Sequence, residues 1–321
     1  MRNKMKAMVI YEPGGPEKFV LEERAIPSVK ERWTLVKIKG FGINHSEIFT
    51  RKGLSPTVQF PRILGIECVG QVVETTRRDL QEGQKIVSIM GEMGRAYDGS
   101  YAEYVLLPNE QIYPVDSQLS WEELAAVPET YYTAFGSFKN MQIKEGDSIL
   151  VRAATSGVGL AFLKLVKAQF PQNRVVGAVR SLAKKDLLQQ QGFDEIILDE
   201  RGVLQTEEKF DKILELVGPA TLKNSFDHIQ SAGIICNTGQ LGGKWYVEEF
   251  DPIVEIRNNS YLTSFYSGNV HQQLIDELFS YIDAYKINVS PQRIFSLEQI
   301  PAAHSYIESQ AGFGKVVVLN N

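Results

Sequence analysis

The spacing of hydrophobic residues divides the chain near residue 120 into two regions of different character. Before that point, short segments alternate apolar and polar residues and are separated by turn residues, as is typical of β-strands. The predicted strands cover residues 6–11, 33–41, 61–74 (a pair), 86–90 and 99–106, and one short helix lies within 42–53. Several short strands in succession predict a partly closed all-β unit.

From residue 120 onward, strand and helix patterns alternate. Ser120 and Glu123 have the spacing of a capping box, which predicts a helix through Val127. The following predicted strands cover 149–152, 174–179, 195–198, 212–217, 233–238 and 261–266, and the predicted helices cover 131–141, 160–170, 182–191, 220–230, 271–285 and 301–309, before a closing strand at 315–319. This alternation predicts an α/β unit with a doubly wound parallel sheet covered on both faces, and ligands bind such sheets beyond the carboxyl ends of the strands.

The segment Ser148–Gly159 combines a strand, a turn of small residues and the start of a helix. Ala153, Ser156 and Gly159 recur at three-residue intervals, and small side chains there let the backbone approach a pyrophosphate at the positive end of the helix. An ordinary α/β domain can contain the same strand, turn and helix without any ligand. Taken alone, the segment therefore leaves both interpretations open.

The composition limits the classes of function. The chain has 321 residues, enough for about two domains, and its net charge of −5 gives no basic surface for nucleic acid. Cys68 and Cys236 lie in apolar surroundings, which predicts buried, reduced thiols. No window has the ~18 apolar residues that a membrane helix needs, and the apolar run at residues 8–11 is too short for a signal peptide. We expect a soluble cytoplasmic protein without nucleic-acid or membrane partners.

Six short motifs, in this order along the chain, carry a family resemblance: 6–8 (KAM), 13–16 (PGGP), 42–44 (GIN), 65–70 (GIECVG), 99–104 (GSYAEY) and 314–318 (GKVVV). With them the chain resembles the medium-chain dehydrogenase/reductase superfamily, and its loop at 153–159 is similar to that of the zinc-free quinone oxidoreductase branch. The resemblance implies a GroES-like catalytic domain at 1–125, an NADP-binding Rossmann domain at 126–266, and a segment at 267–321 that returns to the catalytic domain. It also implies a homodimer formed through the strand at 261–266.

The resemblance bears on zinc. Catalytic zinc takes three protein ligands and leaves one position open. The zinc-dependent relatives have a Cys where this chain has Asn44 and a His where it has Ile66, and Glu129 alone cannot hold the ion. We therefore predict no metal. Because an alcohol is hard to oxidise without a Lewis acid, we expect reduction of quinones or α,β-unsaturated carbonyls by hydride transfer from a nicotinamide.

The resemblance also suggests roles at the start of the short helix. Asn44 would contact the nicotinamide ribose or the substrate carbonyl, although an Asn that only caps the helix fits equally well. Ser46 stands where the zinc relatives have a proton-relay hydroxyl, and local hydrogen bonding is the alternative. His45 stands at a phosphate-contacting position, or is simply a neutral His. The tyrosines that bacterial quinone reductases carry near Phe49 and Ser55 are absent here.

The end of the second strand of the α/β unit indicates the cofactor. An NAD-specific site would have an acidic residue there to bind the ribose 2′-hydroxyl. This chain has Arg180 and Ser181, followed by Lys184, which suit the 2′-phosphate of NADPH. The acidic pair at 199–200 argues in the opposite direction if its side chains face the site. The full predicted cofactor set is Thr133, Ala154, Thr155, Ser156, Gly157, Val158, Gly159, Arg180, Ser181, Lys184, Val217, Gly239, Gln240, Phe265, Tyr266 and Lys315.

Two further functions stay open at this stage. A non-catalytic NADPH-binding sensor or structural protein would keep the cofactor residues and lose the substrate pocket. An enoyl-thioester or alkene reductase would need a catalytic tyrosine, for which Tyr11, Tyr97 and Tyr101 are the candidates. The substrate itself is not predicted, because the pocket would be lined by loops such as 54–61 and 91–98.

Overall fold

The computed structural model describes residues 3–309 and 311–320, which form two compact units. The first unit contains the described residues up to Tyr132, together with Ser267–Ser280 and those from Val289 onward. The second contains Thr133–Tyr266 and Tyr281–Asn288. The domain boundaries predicted at 125/126 and 266/267 differ from this division at 126–132 and 281–288. The second of these differences follows from Tyr281, whose hydroxyl donates to the carbonyl of Leu165 at 2.9 Å.

The strands and helices have the following bounds. The strands are β1 (Lys4–Ile10), β2 (Phe19–Ala25), β3 (Trp33–Ile43), β4 (Arg62–Ile63), β5 (Glu67–Thr75), β6 (Lys85–Ile89), β7 (Tyr104–Pro108), β8 (Tyr113–Pro114), β9 (Ile149–Arg152), β10 (Val175–Val179), β11 (Glu195–Glu200), β12 (Val203–Leu204), β13 (Phe210–Glu215), β14 (Ile229–Asn237), β15 (Tyr261–Ser264), β16 (Arg293–Ser296) and β17 (Val316–Leu319). The helices are α1 (His45–Arg51), α2 (Trp121–Ala125), α3 (Pro128–Asn140), α4 (Gly157–Gln169), α5 (Lys185–Gln191), α6 (Leu222–Asp227), α7 (Pro252–Glu255), α8 (Gln272–Ala284) and α9 (Ile300–Glu308).

The first unit is built mainly from antiparallel strands. One sheet has the order β2-β1-β4, and a larger one has the order β16-β17-β3-β5-β6-β8, with β7 also paired to β3. The long strand β3 follows the predicted alternation, with Leu35, Val36 and Ile38 buried. The closing strand β17 pairs antiparallel with β3, so that Val316 lies opposite Ile43. The end of the chain is thereby fixed beside the start of α1.

The second unit is the predicted parallel sheet, with the order β12-β11-β10-β9-β13-β14-β15. Only the short edge strand β12 runs antiparallel to its neighbour. All residues of β9 and β10 are buried, as expected for strands covered on both faces. The structure therefore has the expected fold class, an α/β chain with a Rossmann-type sheet and a mostly-β unit.

Several element boundaries differ from the sequence predictions. The strand expected from residue 99 begins only at Tyr104, because a side chain at Gly99 would collide with the backbone of Gly65 and the chain bends there. Helix α4 begins at Gly157 rather than at residue 160, since the Ser156 hydroxyl caps it by accepting the Gly159 N–H. The helix expected at 220–230 is only six residues long. β2, β8, β12, β16 and α7 were not predicted; β2, for example, has a single buried residue and lacks the expected alternation.

Both cysteines are buried and free, as predicted. Across residues 3–309 and 311–320, none of the helices combines the length and the apolar character that crossing a bilayer demands.

A buried arginine ends the first strand of the parallel sheet. Arg152 is fully buried, and its Nε and Nη2 donate to Asp199 Oδ2 at 3.1 and 2.6 Å. Its Nη1 donates to the Thr221 carbonyl and to Ser225 Oγ, and Glu215 lies 3.7 Å away. A buried guanidinium is tolerated only when it is paired and hydrogen-bonded in this way. Arg152 thus ties β9 to β11, to β13 and to the segment that begins α6.

We predict that the charge of Asp199 stabilises the second unit. Asp199→Asn keeps the shape but removes the closer of the two carboxylates beside Arg152 and leaves only Glu215 at 3.7 Å, which should lower the free energy of unfolding by about 3 kcal/mol in urea titrations. Glu200→Gln, at the exposed next position of β11, is the control and should change it by less than about 0.5 kcal/mol. Equal effects of the two substitutions would contradict a stabilising buried pair.

Candidate functional site

The first group of candidate residues lies where β3 passes into α1. Asn44 is the N-cap of α1, with an extended backbone, and the Glu47 carboxylate accepts its backbone N–H at 3.1 Å. The same carboxylate accepts the N–H of Ile66 at 3.2 Å and so joins α1 to the turn before β5. Asn44 is half-buried and His45 is exposed. Asn44 and Glu47 therefore form a capping box at the helix start, and the side chain of Asn44 has further partners.

Those partners are Glu67 and Lys315. Asn44 Nδ2 donates to Glu67 Oε1 at 2.8 Å, and Lys315 Nζ donates to Asn44 Oδ1 at 2.9 Å and to Glu67 Oε1 at 2.6 Å. Glu67 is completely buried and Lys315 is 5% exposed. The backbone N–H of Glu129 donates to the second oxygen of Glu67 at 2.7 Å. A Cβ at Gly42 would lie 2.2 Å from Lys315 Nζ, so only glycine there leaves room for the ammonium.

This arrangement changes the interpretation of Lys315. From the sequence, Lys315 is predicted only as a member of the cofactor set. The ammonium is buried and lies in the candidate site, where it donates hydrogen bonds to Asn44 and Glu67. Whether it also contacts a cofactor stays a prediction. The sequence had placed the three residues in separate motifs and had not paired them.

The donors at this position do not fit a catalytic zinc. An Asn amide and the buried, apolar Ile66 stand at the first two ligand positions, and the Glu67 carboxylate is bonded to an ammonium. Within the described part of the chain, no group of three or more His, Cys, Asp or Glu side chains is arranged to hold a metal ion. Glu129 accepts a hydrogen bond from Ser267 Oγ at 2.7 Å.

Glu47 has an unusual charge state. Burial, and secondly the nearby Glu67 carboxylate, raise the pKa of Glu47 to about 7, while Lys315 acts in the opposite direction. Glu47 is thus buried near a second carboxylate that already holds the ammonium, and it keeps its proton up to neutral pH. From the sequence, Glu47 is only one residue of the predicted short helix, and its raised pKa was not predicted.

Ser46 has a partner that the sequence analysis missed. Arg95, from the loop between β6 and β7, donates from Nη2 to Ser46 Oγ at 2.6 Å. Both side chains are half-buried. The sequence had singled out residues 91–98 as a pocket loop without choosing a residue in it. The sequence signal that could have identified Arg95 is that it is the only cation in the segment 91–98.

The three tyrosines considered for an enoyl reductase are engaged elsewhere. Tyr101 is fully buried and its hydroxyl meets His304 Nε2 at 2.9 Å, and burial raises its pKa well above 10. The Tyr97 hydroxyl donates to the Gly91 carbonyl at 2.6 Å. Tyr11 is 49% exposed and bonds to Glu22. None of the three presents an unengaged phenol as a proton donor.

The second group of candidate residues is the turn between β9 and α4. Ala153 adopts a left-handed backbone with φ 59°, and Ser156 caps α4 through its hydroxyl, which accepts the Gly159 N–H at 3.0 Å. A hydroxyl that accepts this bond still has its proton to donate. A side chain at Gly159 would come within 3.0 Å of the Ala153 carbonyl. A tight turn of small residues therefore leads directly into a 13-residue helix, which is the geometry that accepts a pyrophosphate.

The end of β10 lies beside this turn in the same sheet. Arg180 follows β10, is exposed and forms no ion pair with any residue that the structure describes. Ser181 caps the next short helical turn, and Lys184 is half-buried with its pKa lowered by burial. Of the acidic pair at 199–200, Glu200 is exposed, whereas Asp199 is not available to oppose a phosphate. The Asp199 carboxylate is 4% exposed and is bonded to Arg152 inside the unit.

The remaining predicted cofactor residues gather at the carboxyl edge of the parallel sheet. Val217 follows β13, the Gly239-Gln240 pair follows β14, and Phe265 and Tyr266 follow β15. Gly239 must be a glycine, because a Cβ there would lie 2.2 Å from the Leu216 carbonyl. The Phe265 ring lies against Gly136 of α3, next to Thr133, whose carbonyl accepts from Ser137. Their contacts with a cofactor stay predictions.

Comparison with known proteins agrees with this architecture. Residues 30–117 match a model of the alcohol dehydrogenase GroES-like domain, and residues 191–318 match a model named zinc-binding dehydrogenase. The chain is 23% identical to a quinone oxidoreductase of Sus scrofa over 98% of both chains. It is 25% identical to a 2-methylene-furan-3-one reductase of Solanum lycopersicum, covering 98% of this chain and 79% of that one. A mycobacterial protein solved with NADPH is 23% identical and superimposes with a TM-score of 0.82, covering 98% of this chain and all of the other.

The fold and the matched models define an oxidoreductase of the alcohol dehydrogenase type, with a GroES-like unit and a Rossmann-type unit. Within that class, the chain belongs to the medium-chain dehydrogenase/reductase superfamily and to its quinone oxidoreductase-like family. The family identified from the sequence motifs is thereby confirmed. Proteins of this family bind nicotinamide cofactors.

We predict that Glu47 makes the stability of the protein fall as the pH rises. The folded state keeps its proton up to about pH 7 and the unfolded state releases it near pH 4.5, so increasing pH favours unfolding across this interval. Between pH 5 and 8 this group should remove about 3 kcal/mol of unfolding free energy.

Urea titrations at the two pH values test this effect. Glu47→Gln should lack that pH-dependent loss, whereas Glu82→Gln, an exposed control, should keep the wild-type loss. A pH dependence that is unchanged in Glu47→Gln would contradict the shifted pKa.

Proposed function

We propose that the protein is a zinc-independent, NADPH-dependent oxidoreductase that reduces quinones or α,β-unsaturated carbonyls by hydride transfer. The observation that carries the proposal is the Lys315 ammonium held by Asn44 and Glu67, where zinc-dependent relatives would need metal ligands. Without a Lewis acid, alcohol oxidation lacks the group that would stabilise an alkoxide. Reduction of an acceptor that is already electrophilic needs only a positioned hydride donor and a proton.

The proposed roles of the chain follow from its geometry. The turn at 153–159 and the start of α4 would hold the pyrophosphate, and Arg180, Ser181 and Lys184 would hold the 2′-phosphate. NADPH supplies the hydride when it is bound. Asn44 would position the nicotinamide ribose or the acceptor carbonyl, because its amide is held in one orientation by Glu67 and Lys315.

NADPH is favoured over NADH by two features of the second unit. Arg180 has no acidic partner among the described residues, and Asp199 is neutralised by Arg152 instead of facing a phosphate. The mycobacterial relative bound to NADPH supports the same choice. The enone reductase of tomato and the quinone oxidoreductase of pig support the two acceptor classes. The buried Tyr101 gives no support to an enoyl-thioester reductase that uses this phenol as its acid.

We further propose a homodimer formed through the second unit. The edge strand β15 exposes Tyr261 and Leu262, and the preceding segment exposes Tyr246, Ile253 and Val254. An unpaired strand edge beside exposed apolar side chains is suited to pairing with its own copy across a two-fold axis.

Turnover with a panel of acceptors tests the proposed reaction. We expect NADPH oxidation with 1,4-benzoquinone, menadione or simple enones, and we expect a zinc chelator such as 1,10-phenanthroline to leave the rate unchanged. A zinc alcohol dehydrogenase inhibited by the same chelator is the control. Binding of NADPH without turnover of any acceptor would instead favour the non-catalytic alternative, and inhibition by the chelator would contradict zinc independence.

The choice of cofactor is tested at Arg180. Removing a charged, bidentate partner of the 2′-phosphate should raise the Kd for NADPH at least about tenfold in Arg180→Ala and leave the Kd for NADH nearly unchanged. The control is Lys209→Ala, an exposed residue next to the amino end of β13, which should alter neither Kd. An equal loss for both cofactors, or no loss, would remove the argument for a 2′-phosphate site.

A further inference from the structure

The loop that carries Arg95 is held against the first unit by close backbone packing. Gly94 has φ 73°, and a Cβ there would lie 2.6 Å from the Gly65 carbonyl oxygen. Met93 is fully buried, and the Arg95 N–H donates to the Glu92 carbonyl at 3.0 Å. The backbone of Arg95 is thus fixed beside the turn that leads to Glu67. This loop is a rigid support for the arginine side chain.

The guanidinium of Arg95 lacks the partner that its surroundings require. Nη2 donates to Ser46 Oγ at 2.6 Å, while Nε is buried with no hydrogen-bond partner. No carboxylate of the described residues lies within ion-pair distance of it. Other arginines of the same unit do have one, such as Arg51 with Glu308 and Arg62 with Asp98. A half-buried guanidinium without a counter-charge is unfavourable unless an anion from outside the chain completes it.

We infer that Arg95 recognises a carboxylate on the acceptor, so that the preferred substrates are electrophilic carbonyl compounds that also carry an acidic group. This inference rests on the proposed reductase function. Ser46 accepts one N–H of Nη2, so the second N–H of Nη2 and the N–H groups of Nη1, which is not buried, can donate to two oxygens of one carboxylate. Asn44 stands two residues before Ser46 on the same helix start. The residue proposed to position the reactive carbonyl and the residue anchoring Arg95 are therefore on one rigid turn.

A matched pair of acceptors tests the inference: 3-benzoylacrylic acid and its methyl ester share the reducible enone and differ in charge. We expect the wild-type protein to have the higher kcat/KM for the acid. In Arg95→Gln the ratio of kcat/KM values, acid over ester, should fall at least about tenfold, since a charge-assisted bidentate contact is lost. Arg78→Gln removes an exposed charge of the same unit and should keep the wild-type ratio. An unchanged ratio in Arg95→Gln would overturn the inference.

Two further variants make the result independent of a folding defect at position 95. Arg95→Lys keeps the charge without the forked donors, so it should lower the acid-to-ester ratio less than Arg95→Gln does. Ser46→Ala releases the anchored arm and should lower the ratio as well. The Kd for NADPH should stay within about twofold in Arg95→Gln, because the inferred anion belongs to the acceptor. A weakened NADPH affinity with a normal acid-to-ester ratio would assign the guanidinium to the cofactor and overturn the inference.

Calorimetric titration separates this inference from the proposed function. If the wild-type protein oxidises NADPH with neither compound, the reductase proposal fails for these acceptors, and the binding of the acid can still be measured. Tighter binding of the acid than of the ester, lost in Arg95→Gln, would support the anion site. Equal binding of acid and ester by the wild type would refute it. Turnover of the ester with no preference for the acid would leave the reductase standing and refute Arg95 as an anion site.

Discussion

The burial of the Lys315–Glu67 pair is the constraint on which the candidate site depends. Removing two charges from water costs several kcal/mol for each ion, and the cost is offset only by good geometry and additional hydrogen bonds. The fold supplies both, because β17 pairs with β3 in a register that sets Val316 opposite Ile43. Lys315, one residue earlier, is thereby delivered to Asn44, one residue later on the other strand. The ion pair therefore requires both this sheet register and the absence of a side chain at Gly42.

The same constraint accounts for the state of Glu47. The carboxylate of Glu67 is satisfied by the ammonium, by Asn44 and by the N–H of Glu129. Glu47 lies in the same dry region without a cation of its own, so it retains a proton that an exposed carboxyl group would lose. It can still accept the backbone N–H groups of Asn44 and Ile66. Glu47 is therefore best understood as the group that holds the start of α1 against the turn before β5.

In the second unit, Arg152 is likewise a buried charge that needs hydrogen-bond partners. Its guanidinium lies at the end of β9, and the next residue, Ala153, adopts the left-handed backbone that begins the nucleotide-binding turn. Asp199 and Ser225 fix the side chain from β11 and α6. The shape of the turn is consequently set by partners on the interior of the sheet as well as by its small residues. Ser156 caps α4 from within this turn, so the turn leads directly into the helix.

The sequence predicted the elements whose signal is local and missed the pairings that join distant parts of the chain. The buried runs of β9 and β10 and the capping box at Ser120 follow from periodicity and spacing within a few residues. The motif around Glu67 and the one around Lys315 were both recognised, but 248 positions separate them and nothing local pairs their side chains. From the sequence, Asp199 is a possible obstacle to a phosphate for the same reason, since its partner Arg152 is 47 positions away.

The cations of the candidate sites differ in whether a carboxylate of the chain lies beside them. Those with a carboxylate stabilise the fold, and those without one are suited to a ligand. Lys315 and Arg152 are buried and each has a carboxylate, so their charge is used by the fold. Arg180 has none, but it is exposed, and water satisfies an exposed guanidinium at little cost. The proposed contact of Arg180 with the 2′-phosphate therefore depends on its position directly after β10. Arg95 is the stronger case on energetic grounds, because it is half-buried and no carboxylate of the described residues lies within ion-pair distance of it. The carboxylate inferred on the acceptor would supply the counter-charge that no described residue provides.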